Sequence, residues 1–138
     1  MAQRILVDTN VLLDYLLCRE PYAKFAEKIM LACKNGRLSG CIAAHSVSNM
    51  FFILRKSFSI EERRKLLASL CDLFDVEGID KVKILHALHN EAFSDFEDCL
   101  QMECASAFRA DYIITRNCAD FRGSKIPCME PEEFCKLI

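Results

Sequence analysis

The sequence predicts an α/β fold of three layers, in which helices cover both faces of a central, mostly parallel sheet. Three observations predict this fold. Short apolar runs recur along the chain, and segments with helical spacing separate them. The chain has 138 residues and is 52% hydrophobic, which is enough to bury a core without disulfide staples. With four glycines and three prolines it contains no linker, so we expect residues 1–138 to form a single domain.

Five short runs predict the strands of the sheet. The first run lacks the alternation of a half-exposed strand, which is typical of a strand buried on both faces. In chain order the predicted strands are residues 4–7, 38–43, 76–79, 112–115 and 126–129. Because helical segments separate the strands, we expect parallel pairing with helices on both faces.

Apolar spacing and capping residues predict the helices between the strands. The first helix covers residues 8–17, and the second begins near Pro21 and ends at Gly36, which can adopt a left-handed cap. Residues 59–62 and 94–97 both have the S-x-x-E form of a capping box, which opens a helix. The other helices are predicted to open at Ser46 and Asp80, and a short helix ends the chain.

Composition limits the classes of function that the chain can serve. Its 18 Lys and Arg residues against 20 Asp and Glu residues give a net charge of -2, so no overall positive field attracts nucleic acid. Any contact with RNA must come from a local patch. The nine cysteines include no C-x-x-C pair, and most lie in apolar runs, which is typical of buried thiols in a reducing compartment. No apolar run approaches the ~20 residues of a membrane span, so we expect a soluble, cytoplasmic protein with no membrane contact.

Acidic residues gather where the predicted elements meet. Asp8 and Asp120 follow two different strands, and the carboxyl ends of parallel strands share one edge of the sheet. Asp95 and Asp98 are three residues apart on one helical face. Like charges that converge raise one another's pKa, so such a cluster normally persists because a cation neutralises it. Mg²⁺ and Mn²⁺ prefer oxygen ligands and pair with phosphates, which makes metal-assisted hydrolysis of a phosphodiester the most natural chemistry.

Three segments, in order, resemble the PIN-domain family. They are I-L-V-D-T-N-V-L-L-D at residues 5–14, D-F-E-D-C-L-Q at 95–101, and D-Y-I-I-T-R-N at 111–117 followed by D-F at 120–121. The resemblance covers nearly the whole chain, so it implies a single PIN-like domain over residues 1–138. It also implies an Mg²⁺- or Mn²⁺-dependent endoribonuclease that hydrolyses RNA. Many small prokaryotic members are toxins of the VapC type, held inactive by a cognate antitoxin, so an antitoxin is the implied protein partner. Exposed apolar side chains on the early helices would suit a homodimer or an antitoxin groove.

The resemblance also assigns residues by position. Asp8, Asp98 and Asp120 are the implied catalytic acids and metal ligands. Asn49 joins them as a neutral metal ligand through its carbonyl oxygen, and Thr115 is expected to orient the late acid or a bound phosphate. The supporting positions are Asp95, Thr115, Asn117 and Asn10.

Two positions depart from the family pattern and support an alternative. Asn49 stands where members usually carry Glu, and Asn117 stands where many carry an acid, with Asp120 as its substitute. Fewer negative charges weaken metal affinity. The alternative function is therefore a catalytically weak or inactive PIN-like module that binds RNA or a protein partner without cleaving.

Simpler structural roles are also open for several acids. Asp8 could cap the helix that follows it, Asp95 could complement a helix dipole, and Asp120 could be a turn residue. We interpret three further acids as caps or solvated side chains, namely Asp14, Glu97 and Asp111.

We interpret the aromatic, basic and histidine residues as part of the packing or of the solvated surface rather than as a binding site. Phe51 and Phe52 are expected to be core or dimer contacts rather than base-stacking platforms, because nothing basic interleaves them beyond residues 55–56. The basic concentration at residues 55–65 is explained more simply by a solvated helix face than by an RNA track. The three histidines lack metal-ligand spacing and are expected to be surface or partly buried, with approach of His45 to the cleft as the less favoured alternative.

Overall fold

The structure, a computed structural model, describes residues 2–138 and within them a five-stranded sheet in which neighbouring strands are parallel. The strands are β1 (Gln3–Val7), β2 (Leu38–Ala43), β3 (Asp75–Glu77), β4 (Tyr112–Ile114) and β5 (Cys128–Met129). Their order across the sheet is β3-β2-β1-β4-β5. The chain therefore crosses over between neighbouring strands, as the helical segments between them require.

Strand β1 occupies the centre of the sheet because its side chains are apolar on both faces. Ile5 pairs with Gly40 on one side and with Tyr112 on the other, and Ile5, Leu6 and Val7 are fully buried. Burial of each such side chain contributes about 1.5–3 kcal/mol. The predicted strand at residues 4–7 is confirmed, and so is the parallel sheet.

Seven α-helices pack around the sheet in residues 2–138. They are α1 (Thr9–Leu16), α2 (Ala23–Lys34), α3 (Ala44–Ile53), α4 (Ile60–Leu73), α5 (Lys81–His89), α6 (Phe96–Phe108) and α7 (Pro131–Cys135), with short 3-10 turns at Leu54–Lys56 and Cys118–Phe121. The capping box at Ser59 forms, Asp80 caps α5, and Gly36 adopts a left-handed φ of 76° after α2.

Two hydrophobic clusters, one on each face of the sheet, confirm the three-layer architecture. Ile5 and Val7 point into a cluster that includes side chains of α1, α2, α3, α4 and α7. Leu6 points to the opposite face, where the cluster comes from α5 and α6. Gly40 lets α2 and α4 approach the sheet, since an added Cβ atom there would lie 2.7 Å from the Phe74 ring.

Two predicted helix starts are wrong. Helix α3 begins at Ala44, and Ser46 is buried inside the helix, where its hydroxyl finds partners on neighbouring helices. Helix α6 begins after Asp95, whose carboxylate accepts a hydrogen bond from the Asp98 N–H, so Asp95 is the cap in place of Ser94. An aspartate carboxylate and a serine hydroxyl accept the hydrogen bond from the third amide of a helix about equally well. The sequence alone therefore does not show which of two neighbouring residues, Ser94 or Asp95, caps the helix.

The structure bears on two expectations from composition, one about membrane-crossing helices and one about buried thiols. In the described part of the chain, no helix combines the length and the apolar character needed to cross a membrane. All nine cysteines are free within residues 2–138, and the buried ones are Cys41, Cys99, Cys104 and Cys135. Cys18 and Cys71 are exposed, so the expectation of buried thiols holds for only part of the set.

Candidate active site

An open cleft of about 540 Å³ lies where the chain leaves β1 and β4. Helices α1, α3 and α6 form its walls, and the loop after β4 closes one end. The polar side chains that line it are Asp8, Thr9, Asn10, His45, Ser48, Asn49, Glu97, Asp98, Gln101 and Asn117. This is the carboxyl edge of the sheet, where ligands bind in open parallel α/β folds.

Asp8 is the most enclosed acid of the cleft, with 5% of its surface exposed. Its Oδ1 accepts a hydrogen bond from the Thr9 N–H at 2.8 Å, which also caps α1. Its Oδ2 accepts from the Thr115 hydroxyl at 2.8 Å and from the Asn10 side-chain amide at 3.2 Å. Burial raises the pKa of Asp8, and the hydrogen bonds from Thr115 and Thr9 act in the opposite direction by stabilising the charged form.

Thr115 fixes the position of Asp8. It is fully buried at the end of β4, where its hydroxyl donates to Asp8 and accepts from the Asn117 N–H at 3.0 Å. Thr115 therefore orients the acid at the end of β1 rather than Asp120, and the other part of the expectation, that it orients a bound phosphate, stays a prediction. Its second hydrogen bond also holds the start of the loop after β4.

Asp98 lies on the first turn of α6 and projects into the same cleft. Its pKa is raised from 3.8 to about 7, first by burial and then by the negative charges of Asp95, Asp8, Asp120 and Glu97, in decreasing order. Charges interact appreciably over short distances only. Burial is thus the first cause of the shift, and carboxylates from three separate segments at one edge of the sheet add to it.

Asp120 and Asp95 lie at the margin of this cluster. Both are exposed, and among residues 2–138 neither lines the cleft. Asp120 lies in the 3-10 turn after β4, where its N–H donates to the Asn117 carbonyl at 2.9 Å, and its charge raises the pKa of both Asp8 and Asp98. Asp95 caps α6 while it adds to the negative potential at Asp98.

Asn49 faces an acid that the sequence interpretation placed in solvent. The side-chain amide of Asn49 donates to Oε2 of Glu97 at 3.4 Å, and both side chains line the cleft. Glu97 is exposed, as the sequence interpretation expected, and in addition it lines the cleft beside Asn49. No local pattern in the sequence indicates this, because the rotation of α6 against α3 decides which of its acids line the cleft.

A buried polar network beneath the cleft joins three helices, and sequence reasoning missed it. The Gln101 amide donates to the hydroxyls of Ser46 at 2.7 Å and Thr9 at 3.2 Å, and these two hydroxyls lie 2.7 Å apart. The network fixes α1, α3 and α6 relative to one another. It thereby holds the helices that carry the cleft acids, since each of its three side chains hydrogen-bonds to the other two.

His45 also lines the cleft, which was the less favoured alternative from the sequence. Burial lowers its pKa, while the nearby charges of Glu97 and Asp8 act in the opposite direction. In the described residues neither ring nitrogen has a hydrogen-bond partner. Two carbonyl oxygens among the lining residues, Oδ1 of Asn10 and Oε1 of Gln101, likewise have no partner there.

The loop after β4 is anchored by a buried ion pair. Asp14 is 1% exposed and accepts two hydrogen bonds from the Arg116 guanidinium, at 2.7 and 3.1 Å. Arg19 approaches the same carboxylate at 3.6 Å. The interpretation of Asp14 as a cap or solvated acid is wrong, because its charge is buried and holds the segment between Thr115 and Asn117.

The donors fit a hard divalent cation in their chemistry. They are carboxylate and carbonyl oxygens, the buried Asn10 oxygen has no partner in the described residues, and the neighbouring carboxylates oppose the ionisation of Asp98. Within residues 2–138, no three His, Cys, Asp or Glu side chains are gathered as a complete metal centre. The cleft thus offers suitable oxygen atoms, and binding of a cation requires the side chains that carry them to move closer together.

The family model of the PIN domain matches residues 4–119 of the chain. The chain belongs to the PIN-domain family. The match includes the three helices that line the cleft, β1 from residue 4 and the start of the loop after β4, and it leaves Asp120, β5 and α7 outside. The resemblance found in three sequence segments is therefore confirmed.

Solved structures share the fold of this PIN domain. A toxin–antitoxin complex from Klebsiella pneumoniae is similar with a TM-score of 0.67 and 22% identity, covering 92% of this chain and 97% of the other. VapBC2 from Rickettsia felis, bound to a DNA fragment from its promoter, is similar with a TM-score of 0.65 and 15% identity, covering 93% of this chain and 98% of the other. FitAcB from Neisseria gonorrhoeae is similar with a TM-score of 0.66 and 15% identity, covering 93% of this chain and 98% of the other. A comparison with curated proteins finds no match.

Proposed function

We propose that this PIN domain is a divalent-metal-dependent endoribonuclease that hydrolyses RNA phosphodiester bonds. The observation that carries the proposal is the cluster of Asp8, Asp98 and Asp120 at an open cleft, where burial and then the neighbouring carboxylates, Asp8 and Asp120 among them, raise the pKa of Asp98 to about 7. Such repulsion opposes folding unless a cation or a proton neutralises it. A cation serves that purpose near neutral pH and also attracts a phosphate.

Asp8, Asp98 and Asp120 would hold Mg²⁺ or Mn²⁺, with the Asn49 carbonyl oxygen as a neutral ligand. When bound, the ion supplies a Lewis acid that activates water and stabilises negative charge on the phosphate. Asn49 lacks the negative charge of the usual Glu, and Glu97, 3.4 Å from its amide, is able to supply that charge. We therefore add Glu97 to the proposed acids.

The chain's own residues prepare these acids for the reaction. Thr115 and Thr9 hold both carboxylate oxygens of Asp8 and favour its charged form. Asp98 carries a proton for part of the time at neutral pH, because its pKa is about 7, and releases it when a cation approaches. Asn10 donates to Asp8, and the Asn117 N–H donates to the Thr115 hydroxyl that in turn donates to Asp8, so both support the position of this acid.

We further propose that the enzyme is the toxin of a toxin–antitoxin pair and forms a homodimer. Two structures with this fold, from Klebsiella pneumoniae and Rickettsia felis, are described as a toxin–antitoxin complex and as VapBC2 bound to promoter DNA. Exposed apolar side chains on the first two helices, Tyr15 and Leu31, suit a protein contact.

The alternative is a PIN-like module that binds RNA or a protein partner without cleaving. Asn49 favours it, because this residue brings no charge to the cleft and its amide hydrogen already engages Glu97. In this alternative the remaining acids bind cations too weakly for turnover.

Cleavage of a labelled single-stranded RNA distinguishes the two functions. We expect wild-type protein to cleave with Mn²⁺ or Mg²⁺ and not with EDTA, and we expect Asp98→Asn to lose at least about 100-fold in rate. Glu27→Gln is the matched control, since it removes an exposed carboxylate of α2 that is outside the cleft. Absence of metal-dependent cleavage, together with RNA binding, would favour the non-catalytic module.

A further inference from the structure

An exposed aromatic ring and a guanidinium group form a fixed pair at the rim of the cleft. Phe52 lines the cleft at the end of α3, and 62% of its surface is exposed. The guanidinium carbon of Arg55 lies 3.7 Å from the centre of its ring. Nη1 of Arg55 also donates to the Phe52 carbonyl at 3.0 Å, so the guanidinium is held against the ring by two contacts.

Packing of the protein core does not explain this pair. The neighbouring Phe51 turns inward and packs against the core, so of the expected core or dimer contacts the core contact holds for Phe51, while for Phe52 only the dimer contact stays a prediction. An exposed Phe side chain forgoes about 1.5–3 kcal/mol of burial. Since the guanidinium covers one face of the Phe52 ring, the exposed surface belongs to the opposite face and the edges.

Positive charge continues from the pair along the surface. Arg55 and Lys56 are exposed in the 3-10 turn after α3, and three more basic residues follow in α4, at Arg63, Arg64 and Lys65. Arg63 is held against the Phe51 ring, with 4.4 Å between its guanidinium carbon and the ring centre, and it donates to the Phe51 carbonyl at 2.7 Å. Arg55 and Arg63 are thus held against aromatic rings, whereas Lys65 lies 3.9 Å from the carboxylate of Glu61 on its own helix.

This combination fits unpaired nucleotides better than a protein helix. Single-stranded nucleic acids are bound by aromatic rings and guanidinium planes that stack bases, next to cations that track the phosphates. An amphipathic helix requires a continuous apolar groove. In the described cleft the large apolar side chains are Leu13, Phe52 and Ile53, and the rest of the lining is polar.

We propose that the Phe52–Arg55 pair stacks an unpaired base of single-stranded RNA beside the cleft. The inference rests on the proposed ribonuclease function and deepens it, because it names the substrate as RNA with unstacked bases next to the scissile phosphate. The basic residues at 55–56 then serve the RNA backbone rather than a solvated helix face alone. Sequence could not indicate this, since it does not show which way Arg55 points.

Fluorescence anisotropy with labelled oligoribonucleotides in EDTA and low salt tests the inference without cleavage. One strand carries bases, and a second strand of equal charge is abasic. We expect Phe52→Leu to weaken binding of the base-carrying strand about fivefold or more and Phe52→Trp to retain it, while the abasic strand binds all variants equally. Phe96→Leu is the matched control, because Phe96 is exposed and, among the described residues, is not part of the cleft lining. Equal urea midpoints verify that the variants fold.

Three results would overturn the inference. The first is no binding of the base-carrying strand by wild-type protein, and the second is an equal loss on both strands in Phe52→Leu. The third is unchanged RNA affinity in Phe52→Leu, and dissociation of a dimer in the same variant would make the ring a protein contact. If wild-type protein cleaves with metal and Phe52→Leu binds RNA as tightly as wild-type protein, only the inference is overturned. If binding depends on Phe52 and no cleavage occurs, only the proposed function is overturned.

Discussion

Replacing Asp98 with Asn is expected to stabilise the metal-free protein. The pKa of Asp98 is raised from 3.8 to about 7. Each pKa unit corresponds to about 1.4 kcal/mol, so ionising a fully buried Asp98 would destabilise the fold by about 4 kcal/mol. Because Asp98 is partly solvated, screening reduces this figure, and we expect about 1–2 kcal/mol. For a domain of this size that is about 4–8 °C in Tm. The isosteric amide keeps the shape of the side chain and removes its charge.

The sign of the effect follows from the raised pKa. The native state binds the Asp98 proton more tightly than the unfolded chain does, so ionisation destabilises the fold. This penalty is absent below pH 3.8, grows as the pH rises, and is complete above about pH 7. In EDTA the Asp98→Asn variant should therefore exceed wild-type protein in stability at pH 8, and the two should converge toward pH 4.

Thermal unfolding in EDTA between pH 4 and pH 8 measures this difference, and Mn²⁺ at pH 8 supplies the second half of the test. We expect Mn²⁺ to raise the Tm of wild-type protein and to leave Asp98→Asn nearly unchanged. The Glu27→Gln control should follow wild-type protein throughout. An Asp98→Asn variant that is less stable than wild-type protein at pH 8 in EDTA, or a gap that does not depend on pH, would refute the reasoning.

Three further outcomes follow from the same contacts. Metal affinity should fall about tenfold for each pH unit below 7, because Asp98 must release its proton, and calorimetric titration at pH 5.5, 6.5 and 7.5 measures it; a flat profile would contradict this. Thr115→Val should cost about 1–3 kcal/mol in urea unfolding, since it leaves a buried carboxylate short of a donor, and Thr115→Ser should recover most of the loss. Arg116→Met should cost about 2–3 kcal/mol in the same assay, because Asp14 stays buried with Arg19 as its weaker partner, and a change below about 0.5 kcal/mol would show that the ion pair is dispensable.

Local patterns in the sequence were enough to predict much of the fold. The strand at residues 4–7 was identifiable because a strand buried on both faces must be apolar throughout. Gly36 and Asp80 end and begin helices through conformational and hydrogen-bonding preferences that act within a few residues. Topology then brought Asp8 and Asp98 to one cleft, because loops at the carboxyl ends of parallel strands share an edge.

Contacts between residues that are far apart in the chain could not be predicted from the sequence. Asp14 and Arg116 are 102 positions apart, so no local rule could pair them. Glu97 and Asp98 are neighbours on α6, and only the rotation of that helix against α3 decides that both face the cleft. Likewise, Phe52 becomes exposed because α3 ends beside the cleft, which depends on tertiary packing.

Mn²⁺ binding by the RNA-free protein at pH 8, followed through the paramagnetic resonance signal of free Mn²⁺, tests the proposed metal centre most directly. We predict saturable binding by wild-type protein and Glu27→Gln, weakened at least about tenfold in both Asp8→Asn and Asp98→Asn. Binding that is absent from wild-type protein, or equal in all four proteins, would contradict the claim that these acids form the metal centre.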